Sequence, residues 1–101
     1  MVTVGAGVRR FKPGDRVAAI FAQKWLGGEA TPAARGSTLG GPGDGMAAEL
    51  VALDEDGLLA IPEHLSFEQA ATLPCAGVTA WNAVVVQGQV KPGDTVLALG
   101  T

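Results

Sequence analysis

The last eleven residues of the chain, Lys91 to Thr101, constrain the fold more than any other segment. Pro92 fixes φ at about −65° and Gly93 tolerates positive φ, so the pair suits the two central positions of a type II turn. The apolar run from Val96 to Leu99 follows without alternation, which is typical of a strand buried on both faces of a parallel sheet. Gly100 ends the run. The segment therefore predicts a turn, a buried strand and a sharp bend.

A glycine directly after a buried strand is where a Rossmann unit bends toward a helix whose N-terminus takes a pyrophosphate. Only the first element of that motif is visible here, so this signal alone is weak. Glycine and proline contribute 15 and 6 of the 101 residues, well above the roughly 12% that they contribute in average proteins. This excess favours turns and short strands over a helical bundle, and we expect a mostly β fold with short helices.

Charge and cysteine content exclude several classes of function. Seven basic and ten acidic residues give a net charge of −3 without a basic cluster, so neither nucleic acid nor an anionic membrane is an expected partner. No apolar stretch approaches the roughly 20 residues of a membrane span. Cys75 is the only cysteine, which excludes an internal disulfide and fits a reducing compartment. We expect a cytoplasmic protein.

Short strands and one long loop are predicted in the first part of the chain. Lys12 to Ile20 repeats the turn and strand pattern of the C-terminal segment. The glycine-rich stretch from Gly27 to Gly45 is predicted to be a long loop, and loops of this length are often functional lids. Met46 to Leu53 alternates loosely and predicts a strand, which the turn Asp54 to Gly57 joins to a second strand, Leu58 to Ile61, as a hairpin.

Helical signals appear only after these strands. Ser66 and Gln69 have the spacing of a capping box, which predicts a helix from about Phe67 to Leu73 that stops before Pro74. A second helix is indicated by apolar residues at roughly helical spacing and by a glycine as its C-terminal stop. These residues are Val78, Trp81, Val85 and Gly88.

Five blocks of the sequence resemble, in order, the medium-chain dehydrogenase/reductase superfamily. They are Val2 to Val8, Phe11 to Val17, Ile61 to Ala71, Leu73 to Trp81 and Lys91 to Gly100. The chain is most similar to the alcohol dehydrogenase-like and quinone oxidoreductase-like members. The resemblance implies part of a GroES-like, partly open β-barrel over residues 1–73, with the glycine-rich loop at 27–45. Residues 74–101 would be a linking helix and the first strand of a truncated Rossmann domain.

The resemblance also implies a function. Such proteins transfer hydride between NAD or NADP and a small alcohol, carbonyl or quinone, and the intact protein could form homo-oligomers. Because family members are much longer, we expect the chain to be a fragment that is inactive alone. The residue that decides between NAD and NADP lies beyond Thr101. The alternative is a non-catalytic remnant that acts as a binding or structural module.

Four residues are candidate site residues by this resemblance. Thr79 matches a threonine beside the nicotinamide ring, although its hydroxyl could instead bond a helix carbonyl. Gly100 and Thr101 would begin the phosphate loop. Cys75 matches a catalytic zinc ligand of the intact family enzymes; the alternative is a small buried thiol.

Metal sites are otherwise not expected. A catalytic zinc site needs three protein ligands, and besides Cys75 the chain offers a single histidine, His64, which we interpret as a surface residue. The structural zinc lobe of the family would demand four cysteines, and the stretch from Ala22 to Gly45 has none. We therefore expect structural zinc to be absent, and we do not expect catalytic zinc.

Overall fold

A computed structural model describes residues 1–100 of the chain. Most of these residues lie in loops and turns, and the regular elements are short. The strands are β1 (Val17–Ala19) and β2 (Leu58–Ala60), and the α-helices are α1 (Pro32–Arg35), α2 (Phe67–Ala71) and α3 (Val78–Trp81). A 3₁₀ turn, Glu55–Gly57, precedes β2, and two π-helical segments, Leu73–Gly77 and Asn82–Gln87, flank α3.

The two strands form an antiparallel pair in which Val17 lies opposite Ala60 and Ala19 opposite Leu58. The predicted hairpin between residues 46–53 and 58–61 is therefore wrong. Residues 46–53 form no strand, and β2 pairs instead with a segment about 40 residues earlier. The loose alternation in 46–53 satisfied a local pattern, but a strand forms only where a partner supplies hydrogen bonds.

The buried core is small. The buried hydrophobic residues are Ala22, Ala34, Leu58 and Ala70, and no side chain among the described residues is fully buried. Each strand has only three residues. The expected mostly β architecture is thus present only as one strand pair, and residues 1–100 do not close a barrel by themselves.

Both predicted Pro-Gly turns are confirmed. Gly14 and Gly93 have φ of +92° and +99°, conformations that favour glycine. In each turn the backbone N–H of the aspartate donates to the lysine carbonyl, at 3.1 Å for Asp15 to Lys12 and 3.0 Å for Asp94 to Lys91. The aspartate carboxylate in turn accepts the lysine N–H, at 2.9 and 2.8 Å. The two turns are the same four-residue device.

Only the first of these turns leads into a strand. The predicted strand Val96 to Leu99 is wrong: this run has no strand partner in residues 1–100. Its exposed fractions are 55% at Val96, 80% at Leu97 and 84% at Leu99. An apolar run is compatible with a buried strand. Such a strand forms only beside neighbouring strands, and the described residues do not supply them.

The glycine-rich stretch is more ordered than expected. It contains α1, which begins at Pro32 after the N-cap Thr31, whose hydroxyl accepts the N–H of Ala34 at 3.1 Å. Isolated bridges between Ala22 and Thr38 and between Leu39 and Gly43 tie the stretch down. The prediction of a structureless loop over 27–45 is therefore corrected to a short helix held between turns.

The capping box that starts α2 is confirmed. The Gln69 N–H donates to the Ser66 hydroxyl at 3.1 Å, and the Ser66 N–H donates to the Gln69 side-chain oxygen at 2.9 Å. The α-helix ends at Ala71 rather than Leu73 and passes into a π-helical turn. Pro74 has no N–H, which removes one regular α-helical bond, and Gly77 N–H bonds five residues back to the Thr72 carbonyl at 3.0 Å. The second predicted helix is present as α3 and its π-helical extension up to Gly88.

Arg16 fixes the start of α2 against β1. Its Nη2 donates to the Leu65 carbonyl at 2.6 Å, and its guanidinium lies 4.6 Å from the centre of the Phe67 ring. This cation–π contact holds the helical region beside the strand pair. None of the helices formed by residues 1–100 has the length and apolar character that crossing a bilayer demands.

Candidate functional site

A cavity of about 440 Å³ lies between the segment that follows β1 and the helical segment around α3. We call it the Thr79 cavity. It is lined by Ile20, Phe21, Ala22, Trp25, Leu26, Gly27, Gly28, Leu59, Leu73, Pro74, Cys75, Val78 and Thr79. Its volume falls within the range of small-molecule sites.

The helical wall brings two predicted site residues together. Cys75 lies in the π-helical turn and Thr79 in α3, and both line the Thr79 cavity. The Val78 N–H donates to the carbonyls of Leu73 and Cys75 as the π-helical turn passes into α3. Cys75 is a free and exposed thiol within residues 1–100, so the interpretation of it as a buried thiol is wrong. Its side chain lies at the cavity wall instead.

The opposite wall is formed by the turn from Ala22 to Gly28, which contains Trp25. The Trp25 N–H donates to the Ala22 carbonyl at 2.9 Å, and its indole Nε1 donates to the Gly28 carbonyl at 3.0 Å. Gly28 has φ of +70°, a conformation that favours glycine. Sequence reasoning missed Trp25. The available signal was an aromatic residue just ahead of two glycines, after a strand.

The chemistry of the Thr79 cavity is almost entirely apolar. None of its lining residues is charged, and its polar side-chain groups are the Cys75 thiol, the Thr79 hydroxyl and the Trp25 indole N–H, which is bonded to the Gly28 carbonyl. The two carboxylates with shifted pKa values lie elsewhere. The Lys12 N–H lowers the pKa of Asp15, and the backbone N–H of Glu68, with the Ser66 hydroxyl, lowers the pKa of Glu68. Neither carboxylate lines the cavity, so the cavity suits an uncharged ligand.

A second cavity of about 600 Å³ adjoins the first. Phe21, Pro74 and Cys75 line both and form the wall that they share. Its other lining residues come from β1, from the glycine-rich stretch and the adjoining Met46, from Ile61 after β2, and from α2. They are Val17, Ala18, Ala19, Leu39, Gly40, Gly45, Met46, Ile61, Phe67 and Ala71. Cys75 thus lies where the two cavities meet.

The residues present do not fit a zinc site. Within residues 1–100, no group of three His, Cys, Asp or Glu side chains is placed to hold a metal ion. His64 is exposed, as expected for a surface residue. Cys75 therefore has no companion ligands in this part of the chain.

The predicted phosphate-loop residues are not brought to the cavity. Gly100 has φ of +81° and is exposed, with no atom within 4 Å of where a Cβ would lie. It lines neither cavity. Thr101 lies outside the described residues. Of the four predicted site residues, the structure therefore unites Cys75 and Thr79 and leaves Gly100 apart.

The chain is similar to known proteins in both sequence and structure. The chain is 46% identical over 100 residues to a zinc-type alcohol dehydrogenase-like protein of Schizosaccharomyces pombe, an alignment that covers 97% of this chain and 29% of the relative. It is 39% identical over 104 residues to an alcohol dehydrogenase of Geobacillus stearothermophilus, covering 96% of this chain and 31% of that one. No protein-family model matches the chain.

A crystal structure shares the fold. A protein assigned as an alcohol dehydrogenase from Sinorhizobium meliloti 1021 superposes with a TM-score of 0.80 at 46% sequence identity, over 90% of this chain and 28% of that chain. The chain thus spans about three tenths of the length of these relatives. It belongs to the alcohol dehydrogenase-like, medium-chain dehydrogenase/reductase superfamily.

Proposed function

We propose that this chain is the substrate-facing part of an oxidoreductase that transfers hydride between NAD or NADP and a small alcohol, carbonyl or quinone. The observation that carries the proposal is the Thr79 cavity, in which the two polar side chains named by the family resemblance lie together on an uncharged wall. The similarity to alcohol dehydrogenase-like proteins along nearly the whole chain supports it. The same similarity does not favour a non-catalytic remnant.

The nicotinamide cofactor would supply the hydride, and the protein would supply binding and orientation. In this proposal the Thr79 hydroxyl lies beside the nicotinamide ring and helps to orient it. Gly100 and Thr101 begin the loop that approaches the phosphates. The apolar walls, including Leu73 and Val78, place no charged group beside the reacting carbon. The proposal gives zinc no role in this part of the chain, because residues 1–100 do not fit a zinc site.

The proposal also concerns the substrate, the partners and the cellular location of the whole protein. A small uncharged substrate matches the lining of the Thr79 cavity. We further propose a cytoplasmic enzyme that assembles as a homo-oligomer and binds neither nucleic acid nor a membrane surface. These statements concern a protein of the relatives' length, of which the present residues form about three tenths.

The test is hydride transfer in a protein of that length. Residues 1–101 would replace the aligned segment of the Sinorhizobium protein, and oxidation of NADH and NADPH would be followed with a carbonyl compound that the unmodified neighbour reduces. Thr79→Val should lower kcat/KM about five- to tenfold, the loss of one hydrogen bond. Thr72→Val is the matched control, because the Thr72 hydroxyl bonds the Gln69 carbonyl and lines neither cavity. A chimera that folds but transfers no hydride would contradict the proposal.

A further inference from the structure

We infer that Trp25 is a specificity-determining residue of the Thr79 cavity, and that its indole selects substrates with a flat, uncharged ring beside the reacting carbon. The inference rests on the proposed function and adds a substrate class to it. The residue was not among the candidate site residues of the sequence. The observation behind the inference is that the turn from Ala22 to Gly28 holds the Trp25 ring at the cavity wall.

The Trp25 ring is held in place before any ligand arrives. Its backbone N–H is bonded to Ala22 and its indole N–H to Gly28, at 2.9 and 3.0 Å. The ring therefore loses little side-chain freedom when a ligand contacts it, and contact with a preorganised group costs less entropy. The left-handed conformation of Gly28, at φ +70°, aims its carbonyl at the indole donor.

The bond to Gly28 also decides which ligand the ring accepts. Because the indole N–H is already used inside the turn, Trp25 offers its π face and hydrocarbon edge rather than a hydrogen-bond donor. The other side chains on this wall, such as Phe21 and Leu26, are apolar, and no charged residue lines the cavity. An aromatic or conjugated ring gains stacking here, whereas a charged or sugar-like group would be desolvated without a partner.

The second tryptophan provides a matched control. Trp81 lies in α3, is 64% exposed and lines neither cavity. Trp25 is 47% exposed and lines only the Thr79 cavity. A substitution at Trp81 removes an equal ring from the same chain without touching the cavity.

The experiment compares two uncharged ketones with the same heavy-atom skeleton, acetophenone and cyclohexyl methyl ketone. Each would be titrated into the full chain, and dissociation constants would be read from amide chemical shifts. The wild type should bind acetophenone about two- to tenfold more tightly than its saturated analogue, the range expected for one aromatic contact. Trp25→Leu should bring the ratio close to one, Trp25→Phe should retain part of it, and Trp81→Leu should leave it unchanged.

Two results would overturn the inference: a wild type without preference between the ketones, or a preference that survives Trp25→Leu. Since both ketones meet the same sample, a variant that is only partly folded weakens both affinities and leaves the ratio readable. The titration needs no nicotinamide. A chimera without hydride transfer would thus refute the proposed function and leave the ring selection standing, and loss of the ratio would do the reverse.

Discussion

Gln23 and Gly57 fit against each other because Gly57 has no side chain. A Cβ at Gly57 would lie 2.7 Å from the Gln23 side-chain carbon Cδ, a distance that real Cβ atoms do not reach. The Gln23 amide is held there by donating to the Ile20 carbonyl at 2.6 Å and the Gly57 carbonyl at 3.2 Å. The side chain thereby fastens the end of β1 to the turn before β2.

Gly57→Ala should therefore loosen the β1–β2 pair. The new methyl group displaces the Gln23 amide and breaks its two bonds, a loss of about 1 kcal/mol. The Ile20 N–H, which donates to the Gly57 carbonyl at 2.9 Å, should exchange with solvent roughly fivefold faster. Gly5→Ala is the control, because a Cβ at Gly5 meets nothing within 4 Å. Equal exchange in the two variants would contradict the contact.

Arg16→Lys should detach the start of α2 from β1. Lysine lacks the planar guanidinium that reaches Leu65 and covers the Phe67 ring. We expect a loss of about 1 kcal/mol, seen as faster amide exchange in Phe67–Ala71. Arg9→Lys is the control. It makes the same substitution without changing the charge, and it keeps the bond that the Arg9 backbone N–H donates to the Glu55 carboxylate. No difference between the two substitutions would refute the role given to Arg16.

Acidification should weaken the first Pro-Gly turn. The Lys12 N–H bond holds the pKa of Asp15 below its usual 3.8 in the folded chain. The ionised Asp15 carboxylate therefore contributes fully to stability above the pKa that Asp15 has in the unfolded chain. The contribution is lost as the pH falls through the lower pKa of the folded chain. The Lys12 and Asp15 amide shifts should therefore move together, with a common midpoint below pH 3.8. Asp15→Asn should abolish this movement; a wild-type midpoint above 3.8 would contradict the bond.

Zinc should not copurify with the chain in stoichiometric amount. Cys75 has no companion ligands within residues 1–100, and a zinc site needs at least three protein ligands. Elemental analysis after chelator treatment should find far less than one zinc per chain in both the wild type and Cys75→Ser. About one zinc per wild-type chain, lost in Cys75→Ser, would show a site that the structure does not form.

The apolar run at the C-terminus should be unprotected in a monomer or buried by self-association. Val96, Leu97 and Leu99 are all more than half exposed, and burying one such side chain is worth roughly 1.5–3 kcal/mol. Sedimentation combined with amide exchange over residues 88–100 separates the two cases. A monomer with strongly protected amides at Val96 to Leu99 would contradict the structure, since no strand partner exists for them among the described residues.

Local patterns predicted the elements that a few neighbouring residues determine. The two Pro-Gly turns and the Ser66 capping box each need only four residues, and all three are present. The pairing of β1 with β2 escaped prediction because its partners lie about 40 residues apart. The strand at Val96 was predicted from composition, but strands depend on neighbours that a local window cannot contain.

The candidate site shows the same division. Cys75 and Thr79 were predicted because they fall within one block of family resemblance, and the structure places both at one cavity. Trp25 was not predicted to line the site, because its position depends on a bond to Gly28 across a turn. No sequence period marks such a bond. Cys75 is exposed and lies in a π-helical turn, which no propensity rule indicated.

The π-helical turn at Leu73–Gly77 determines which side chains of the following helix face the cavity. Each residue advances an α-helix by about 100°, so the one residue that a π turn accommodates decides which side chains downstream face inward. Deleting one residue from the turn would rotate Thr79 by about 100° around the helix axis, away from its present position in the cavity wall. Substitutions at Ala76 or Gly77, which lie in the π-helical turn but line neither cavity, would thus change which ligands the cavity accepts.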